Sequence, residues 1–370
     1  MDINLSAEQE SLRESAQQLF GSLDGGERVA NDFAGTGSQP WWDQVRATGW
    51  LGIGIPEELG GPGGSLLDLG IVFRELGRVA APSRFRSAVA GRLVYQALAS
   101  ESQGKALLAD LGDQAQTATV AFAEPGVARD PRFIATVARR GADGWVLNGR
   151  KSFVPDAGVS DLLVVAARED GAAPGTVSFF SVGTRSAGVT LHPQRVFSGD
   201  PYYEVTFADV AVTADSRLGQ PGDLAQFDQY AVALEAVSAL IALEAVGGTE
   251  AILDKTVEYV KNRSQFGLPI GGFQAVQHHL ANIAIGLTGA RLAAWKAALN
   301  HPDSRASAIA AAAACRNFKN ATLACHQVLG GIGITEEFFL LKYSARAKLL
   351  EQIAAPWVAH METIATAIGL

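Results

Sequence analysis

The sequence predicts an α+β chain of three parts. An N-terminal α-helical domain is expected over residues 1–115, a middle antiparallel β-barrel domain over 116–220 and a C-terminal α-helical bundle over 221–370. Three observations predict this. Apolar residues recur at helical spacing at both ends of the chain, they recur with period two in the middle, and Gly/Pro clusters stand where the period changes. With 370 residues and 48% hydrophobic content, the chain can bury a large core and hold about two or three domains.

In the first part the helical period runs through Leu5, Leu12 and Leu19, then Leu66, Leu69, Val72 and Leu76, then Val89, Leu93 and Leu98. The break at Gly60-Gly61-Pro62-Gly63-Gly64 separates these runs into short helices. Gly52-Ile53-Gly54 is no dinucleotide fingerprint, because no third glycine and no strand–helix context follow. From Thr117 the period is two, through segments 117–123, 133–138, 144–147, 162–167, 176–182, 189–191 and 203–210. Turn signals at Asp143-Gly144 and Gly171 to Gly175 make a compact β-domain the expectation. After Pro221-Gly222 the helical period returns, with alanine-rich segments over 231–245 and 306–324 that suit close helix packing in a bundle or at an oligomer interface. Cys315 and Cys325, ten apart on one helix, stand about 15 Å apart along its axis, beyond disulfide reach, and read as small core residues.

Composition excludes several classes. A formal charge of −8 and pI near 5.3 without a basic cluster argue against nucleic acid. The start, MDINLSAEQESLRE, lacks the basic and apolar regions of a secretory signal. Uncharged apolar runs such as Ala236–Leu243 and Ala306–Ala314 fall short of the roughly 20 residues that span a bilayer. No membrane partner and a cytoplasmic location are expected. His278 and His279 are adjacent and cannot share a helix face for a metal. No His-Glu-x-x-His, Gly-x-Ser-x-Gly or Walker loop occurs.

Chemistry concentrates in residues 258–277. Arg263 follows Thr256, Tyr259 and Val260 on a helical period, and Gly267, Pro269 and Gly271-Gly272 then break the chain, so Arg263 should end a helix. Beside Gln265 and Phe266 it offers a planar donor fork next to a stacking surface, suited to a diphosphate or a carboxylate. The other reading is an arginine capping its own helix carbonyls.

The stretch Arg263-x-Gln265-Phe266-Gly267-x-Pro269-Ile270-x-x-Phe273-Gln274 resembles the acyl-CoA dehydrogenase flavoprotein family. So does Gln327-x-x-Gly330-Gly331-x-Gly333-x-Thr335 downstream, as does the loop WLGIGIPEELGG at Trp50–Gly61. The resemblance covers essentially the whole chain, and α, β, α is the order of that fold. It implies FAD as cofactor, bound at Arg263, Gln265, Phe266, Gln274, Gln327, Gly330 and Gly331. It also implies an acyl-CoA substrate between β-domain and bundle, an electron-transferring flavoprotein as acceptor, and a glutamate that removes the α-proton.

The match fails at that glutamate. Ungapped alignment through Gly333 and Ala345–Lys348 puts Ala354 at the family's Glu-Gly-Thr position, and counting back from Arg263 puts Val237 at its other base position. Glu244, Glu235 and Glu351 stand nearby in sequence, each expected as a solvated or paired surface charge, with Glu244 the best placed as a displaced base. In the middle domain Ala123-Glu124-Pro125-Gly126-Val127-Ala128-Arg129-Asp130 resembles T-E-P-x-x-G-S-D, with Ala123 and Arg129 in place of hydroxyls. Gly149-Arg150-Lys151-Ser152-Phe153-Val154-Pro155 resembles G-x-K-x-x-I-T until Pro155. No catalytic residue is assigned. The pattern resembles one subunit of the bacterial steroid-type α2β2 acyl-CoA dehydrogenases, in which a paralogous partner holds the flavin ring and the base. The alternatives are a self-sufficient homotetramer with a displaced glutamate and a flavin monooxygenase of the same fold.

Overall fold

The computed structural model describes residues 4–22, 39–105, 116–126, 131–173, 175–219, 226–354 and 357–369. In chain order the α-helices of these residues are α1 (Ala7–Gly21), α2 (Gln39–Ala47), α3 (Leu66–Val79), α4 (Arg84–Leu98), α5 (Gln226–Asn262), α6 (Gln274–Asn300), α7 (Ser304–Leu329), α8 (Leu340–Ile353) and α9 (Trp357–Ala367). Two compact units emerge: Met1–Glu27, Ser65–Ala81 and Glu235–Leu370 form the first, Arg28–Gly64 and Pro82–Leu234 the second.

In the first unit, α1 and α3 each start at a capping box, Ser6 with Gln9 and Ser65 with Asp68. Gln9 Nε2 then donates to Asp68 Oδ1 at 2.8 Å and ties the two helix starts together. Helix α3 lies against α5 at a crossing that only glycine permits: a Cβ on Gly77 would stand 2.0 Å from the Glu244 carbonyl oxygen, and one on Gly247 1.8 Å from that of Arg74. Arg74 and Arg78 fasten the crossing to Glu250 at 2.8 and 3.3 Å.

Alanines of α5, α6 and α7, with Phe318, Tyr343 and Leu350, fill the core of this unit. The direction of the helices places their ends. A Cβ on Gly286 of α6 would lie 2.1 Å from Asn317 Oδ1 of α7, and each residue stands twelve positions from its helix end (286 − 274 and 329 − 317). Gln274 therefore lies level with Leu329. Helix α5 runs parallel to α7, because Gly248 faces the Phe318 ring while Ile252 faces Cys325. The end of α5, the start of α6 and the end of α7 thus share one end of the bundle.

An 18-residue window of α5 reaches a mean hydropathy of 1.7 once up to two charges are tolerated, which corrects the count of uncharged runs; 67% of that window is buried inside the protein, as a core helix requires. The reading of the cysteines holds, since both are free and buried.

The second unit carries β1 (Ala118–Ala121), β2 (Val137–Arg140), β3 (Gly144–Pro155), β4 (Leu162–Glu169), β5 (Ser178–Gly183), β6 (Val189–Gln194) and β7 (Tyr202–Thr213). Every period-two segment contributes a strand. The ladder runs β1-β4-β2-β3-β7-β6, with β5 on β4. Two details differ from the expectation: β1–β4 and β2–β4 pair in parallel, and no ladder among the described residues closes the sheet. Phe133 ends a short 3-10 helix and residues 134–136 lead irregularly into β2, whereas β3 and β7 extend to twelve residues each because their ladder absorbs two irregularities.

Helix α4 packs on β1 where a Cβ on Gly91 would meet the Ala118 carbonyl at 1.9 Å. Helix α2, unforeseen in the sequence, buries Trp41, Trp42 and Val45 within nine residues, too short a run for periodicity to reveal.

Candidate functional site

Helix α5 stops at Asn262, and Arg263 follows with its N–H still donating to Tyr259 O at 2.8 Å. Ser264–Gln265 then pairs with Leu268–Pro269 in a two-residue hairpin. Its loop residues Phe266 and Gly267 both have positive φ, +56° and +85°, as a type I′ turn requires. Phenylalanine is poorly suited to that conformation, and its ring is 90% exposed, edge-on to Phe273 at 6.2 Å. A strained, solvated aromatic has no packing reason to be there, so a ligand role is the reading that fits.

The exposed Arg263 guanidinium has no carboxylate partner and no bond to its own helix carbonyls among the described residues. The self-capping reading is therefore not realised. Gln265 is exposed, its Nε2 donating to Ser264 O at 2.9 Å. Gln274 is exposed at the first position of α6.

At the same bundle end, α7 closes on Gly330, and Gly330–Ile334 forms a tight turn. Gly330 has φ +63° and ψ −140°, a region open only to glycine. A Cβ on Gly330 or Gly331 would meet nothing within 4 Å, so their backbone faces open space. Gln327 is exposed one turn earlier. Glycine backbone open to close approach, a guanidinium without a partner among the described residues and an exposed ring on one end of a bundle suit a dinucleotide's diphosphate and its aromatic base. FAD fits these residues.

In the second unit Glu124 and Lys151 form a buried pair at 2.7 Å. Glu124 also accepts from Ala135 N (2.7 Å), Thr136 N (3.0 Å) and Thr136 Oγ1 (2.6 Å), and Lys151 Nζ donates to Phe122 O at 3.1 Å. Burial pushes the Lys151 amine down to about 8 against the pull of Glu124. Burial opposes ionisation of Glu124 too, but Lys151 and the donors around it bring its carboxyl below the usual range. Both motif residues are therefore structural anchors of β3. After Lys151 the strand bulges, leaving Phe153 at φ +53° and 59% exposed. Pro155 O accepts from Thr119 Oγ1 at 2.7 Å. Arg129 lies outside the described residues.

Neither base position supplies a base. Ala354 is buried in the helical core and Val237 packs against that core. Glu244 corrects the surface-charge expectation: it is wholly buried, with Arg346 Nη1 at 2.6 Å from its Oε1. Glu351 is held by Lys319 at 2.6 Å and Lys348 at 3.3 Å, which outweigh its partial burial and keep its carboxyl low. Glu235 is raised by burial and by Asp303, far along α5 from the cofactor motifs. His360 is buried near Ala354, its Nε2 without a partner among the described residues. The adjoining cavity of about 10 Å³ has room for about one water and cannot admit a thioester.

A helical unit, a strand-rich unit and two dinucleotide-suited motifs define a flavoprotein of the helix–sheet–helix class. Family models describe the rest: "Acyl-CoA dehydrogenase, N-terminal domain" matches residues 6–114, the middle domain 119–210 and the C-terminal domain 228–367. The bovine mitochondrial short-chain specific acyl-CoA dehydrogenase is 31% identical over 322 residues, 83% of this chain and 78% of its own length. The probable acyl-CoA dehydrogenase YngJ of Bacillus subtilis is 29% identical over 95% of both chains. The solved structure of a variant of the "Tcur3481-Tcur3483 steroid ACAD" superposes with a TM-score of 0.83 at 25% identity, over 98% of this chain and 97% of that one. The chain belongs to the acyl-CoA dehydrogenase family. Its cofactor is FAD, and it is an oxidoreductase of acyl-CoA CH–CH bonds.

Proposed function

We propose that this chain is a cofactor-gripping subunit of an acyl-CoA dehydrogenase complex that desaturates a bulky, steroid-derived acyl-CoA thioester. Arg263, Gln265, Phe266, Gln274, Gln327, Gly330 and Gly331 hold the nucleotide end of FAD, and a paralogous partner in an α2β2 assembly supplies the base. The carrying observation is the contrast within one unit: the Arg263 fork has no partner among the described residues, while Ala354 and Val237 occupy both base positions and Glu244 and Glu351 are held by cations. A general base must be directed at the proton it takes, and a carboxylate clasped by a guanidinium or by two ammonium groups is directed at those cations instead. When bound, FAD supplies the hydride acceptor; this chain's residues supply its binding and orientation.

A protein partner is supported by the outer face of α6. Ile285, Leu292 and Leu299 recur there every seven residues with exposures of 71, 44 and 46%, an apolar stripe that water alone does not favour. The steroid substrate is supported by the description of the Tcur3481-Tcur3483 structure. An electron-transferring flavoprotein as acceptor, a cytoplasmic location and domain limits at 115 and 220 belong to the same reading.

The test is flavin stoichiometry. The chain should bind little FAD and show no turnover when purified alone, and gain both with a paralogue carrying a glutamate base. Full FAD occupancy and turnover by the chain alone would favour a homotetramer instead.

A further inference from the structure

His326 stands in the last turn of α7, with its ring beneath the Gly330–Ile334 turn. Its Nε2 lies 2.8 Å from Ser344 Oγ, and Ser344 Oγ lies 3.1 Å from the Leu340 carbonyl. A hydroxyl has one hydrogen; directed at Leu340 O, it leaves Oγ to accept from Nε2–H. Nδ1 is then a bare acceptor. It is shut off from solvent, hydrogen bonds to nothing among the described residues, and lies 3.4 Å from where a Cβ on Gly333 would stand. The uncommitted nitrogen of the ring faces the inner side of the glycine turn.

We infer that His326 is a pH-sensing positioning residue for FAD: protonated at Nδ1, it places a positive charge behind the glycine turn and tightens the turn's hold on the dinucleotide's diphosphate. This rests on the proposed role of Gly330 and Gly331. The charged groups of the elements packed on the ring are engaged elsewhere or exposed. On α8, Arg346 binds Glu244, Lys348 binds Glu351, and Lys342 lies over the Tyr343 ring. Glu336 and Glu337, just past the turn, are exposed. Burial alone lowers the His326 imidazole from its ordinary value, so the response falls on the acid side of neutrality. A unit charge placed behind the turn, partly screened, corresponds to about a threefold to tenfold change in affinity.

The experiment is a flavin-fluorescence titration of the full chain assembled with its glutamate-bearing paralogue, at pH about 7.5 and about 5.5 and constant ionic strength. Wild type should bind FAD about threefold to tenfold tighter at the lower pH. His326→Gln, which keeps a neutral donor to Ser344, should bind equally at both. A flat wild-type response, or an unchanged slope in His326→Gln, overturns the inference while leaving the FAD site intact. Absence of FAD binding at either pH defeats the site and the inference together. By linkage FAD must raise the His326 pKa by the same factor, so an NMR titration of the wild-type ring is a test that needs no variant; an identical pKa with and without FAD rules the idea out.

Discussion

Arg346 Nη1 lies 2.6 Å from Glu244 Oε1 at a site with almost no solvent access, and Arg346 Nη2 donates to Ala81 O at 2.6 Å. One guanidinium thus neutralises a carboxylate on α5 and satisfies a carbonyl left open at the end of α3. Tyr343, one turn earlier on α8, donates to Arg78 O beside it. The pair is a fastening of three helices, and that disqualifies Glu244 as a base.

Glu244→Gln should destabilise the protein by about 3–5 kcal/mol, because removing one partner leaves the other charge buried and uncompensated. Urea unfolding measures this directly. Loss of substrate-dependent flavin reduction without loss of stability would contradict the fastening role.

Asp156 gives stability a pH dependence with a definite sign. Its carboxylate accepts from Ser83 Oγ (3.0 Å) and Ser87 Oγ (2.5 Å), yet burial, with Asp200 adding to it, pushes its pKa up to about 6 from 3.8. The folded state therefore binds the proton more tightly than the unfolded chain between those values, and stability falls as pH rises through that window, then levels above it. Asp156→Asn, whose residue type also tolerates the φ of +50° at this position, should remove that fall and gain on the order of 1–3 kcal/mol at pH 7. Thermal unfolding across pH checks it; an unaltered profile refutes it.

Arg263→Lys should weaken FAD binding by about tenfold or more, since lysine cannot present a planar fork and a lost charge-assisted hydrogen bond costs about 1.5–3 kcal/mol. Melting temperature should not move, because the side chain is exposed and has no carboxylate partner among the described residues. Equal FAD affinity in the two proteins would remove Arg263 from the site.

Gly330→Ala and Gly331→Ala should separate. Alanine at φ +63°, ψ −140° costs about 1–3 kcal/mol, whereas Gly331 lacks a positive φ and has open space around a Cβ. Gly331→Ala should fold normally and lose only FAD affinity, as the added methyl group blocks the approach to the backbone. Titration and melting of both variants report this.

The sequence by itself determined the longer helices, the order of the strands and the family, because periodicity and glycine placement act over a few residues, whereas the nine-residue α2 escaped it. Leu66 to Leu76 and the seven period-two segments became elements where expected, and Arg263 ended its helix. Tertiary structure alone decided what each charge does. Glu244 and Arg346 are 102 positions apart, and nothing local distinguishes a solvated glutamate from one sealed under a guanidinium. The parallel β1–β4 pairing, the shared bundle end of Arg263 and Gly330, and the orientation of His326 under its turn are likewise products of packing between distant segments.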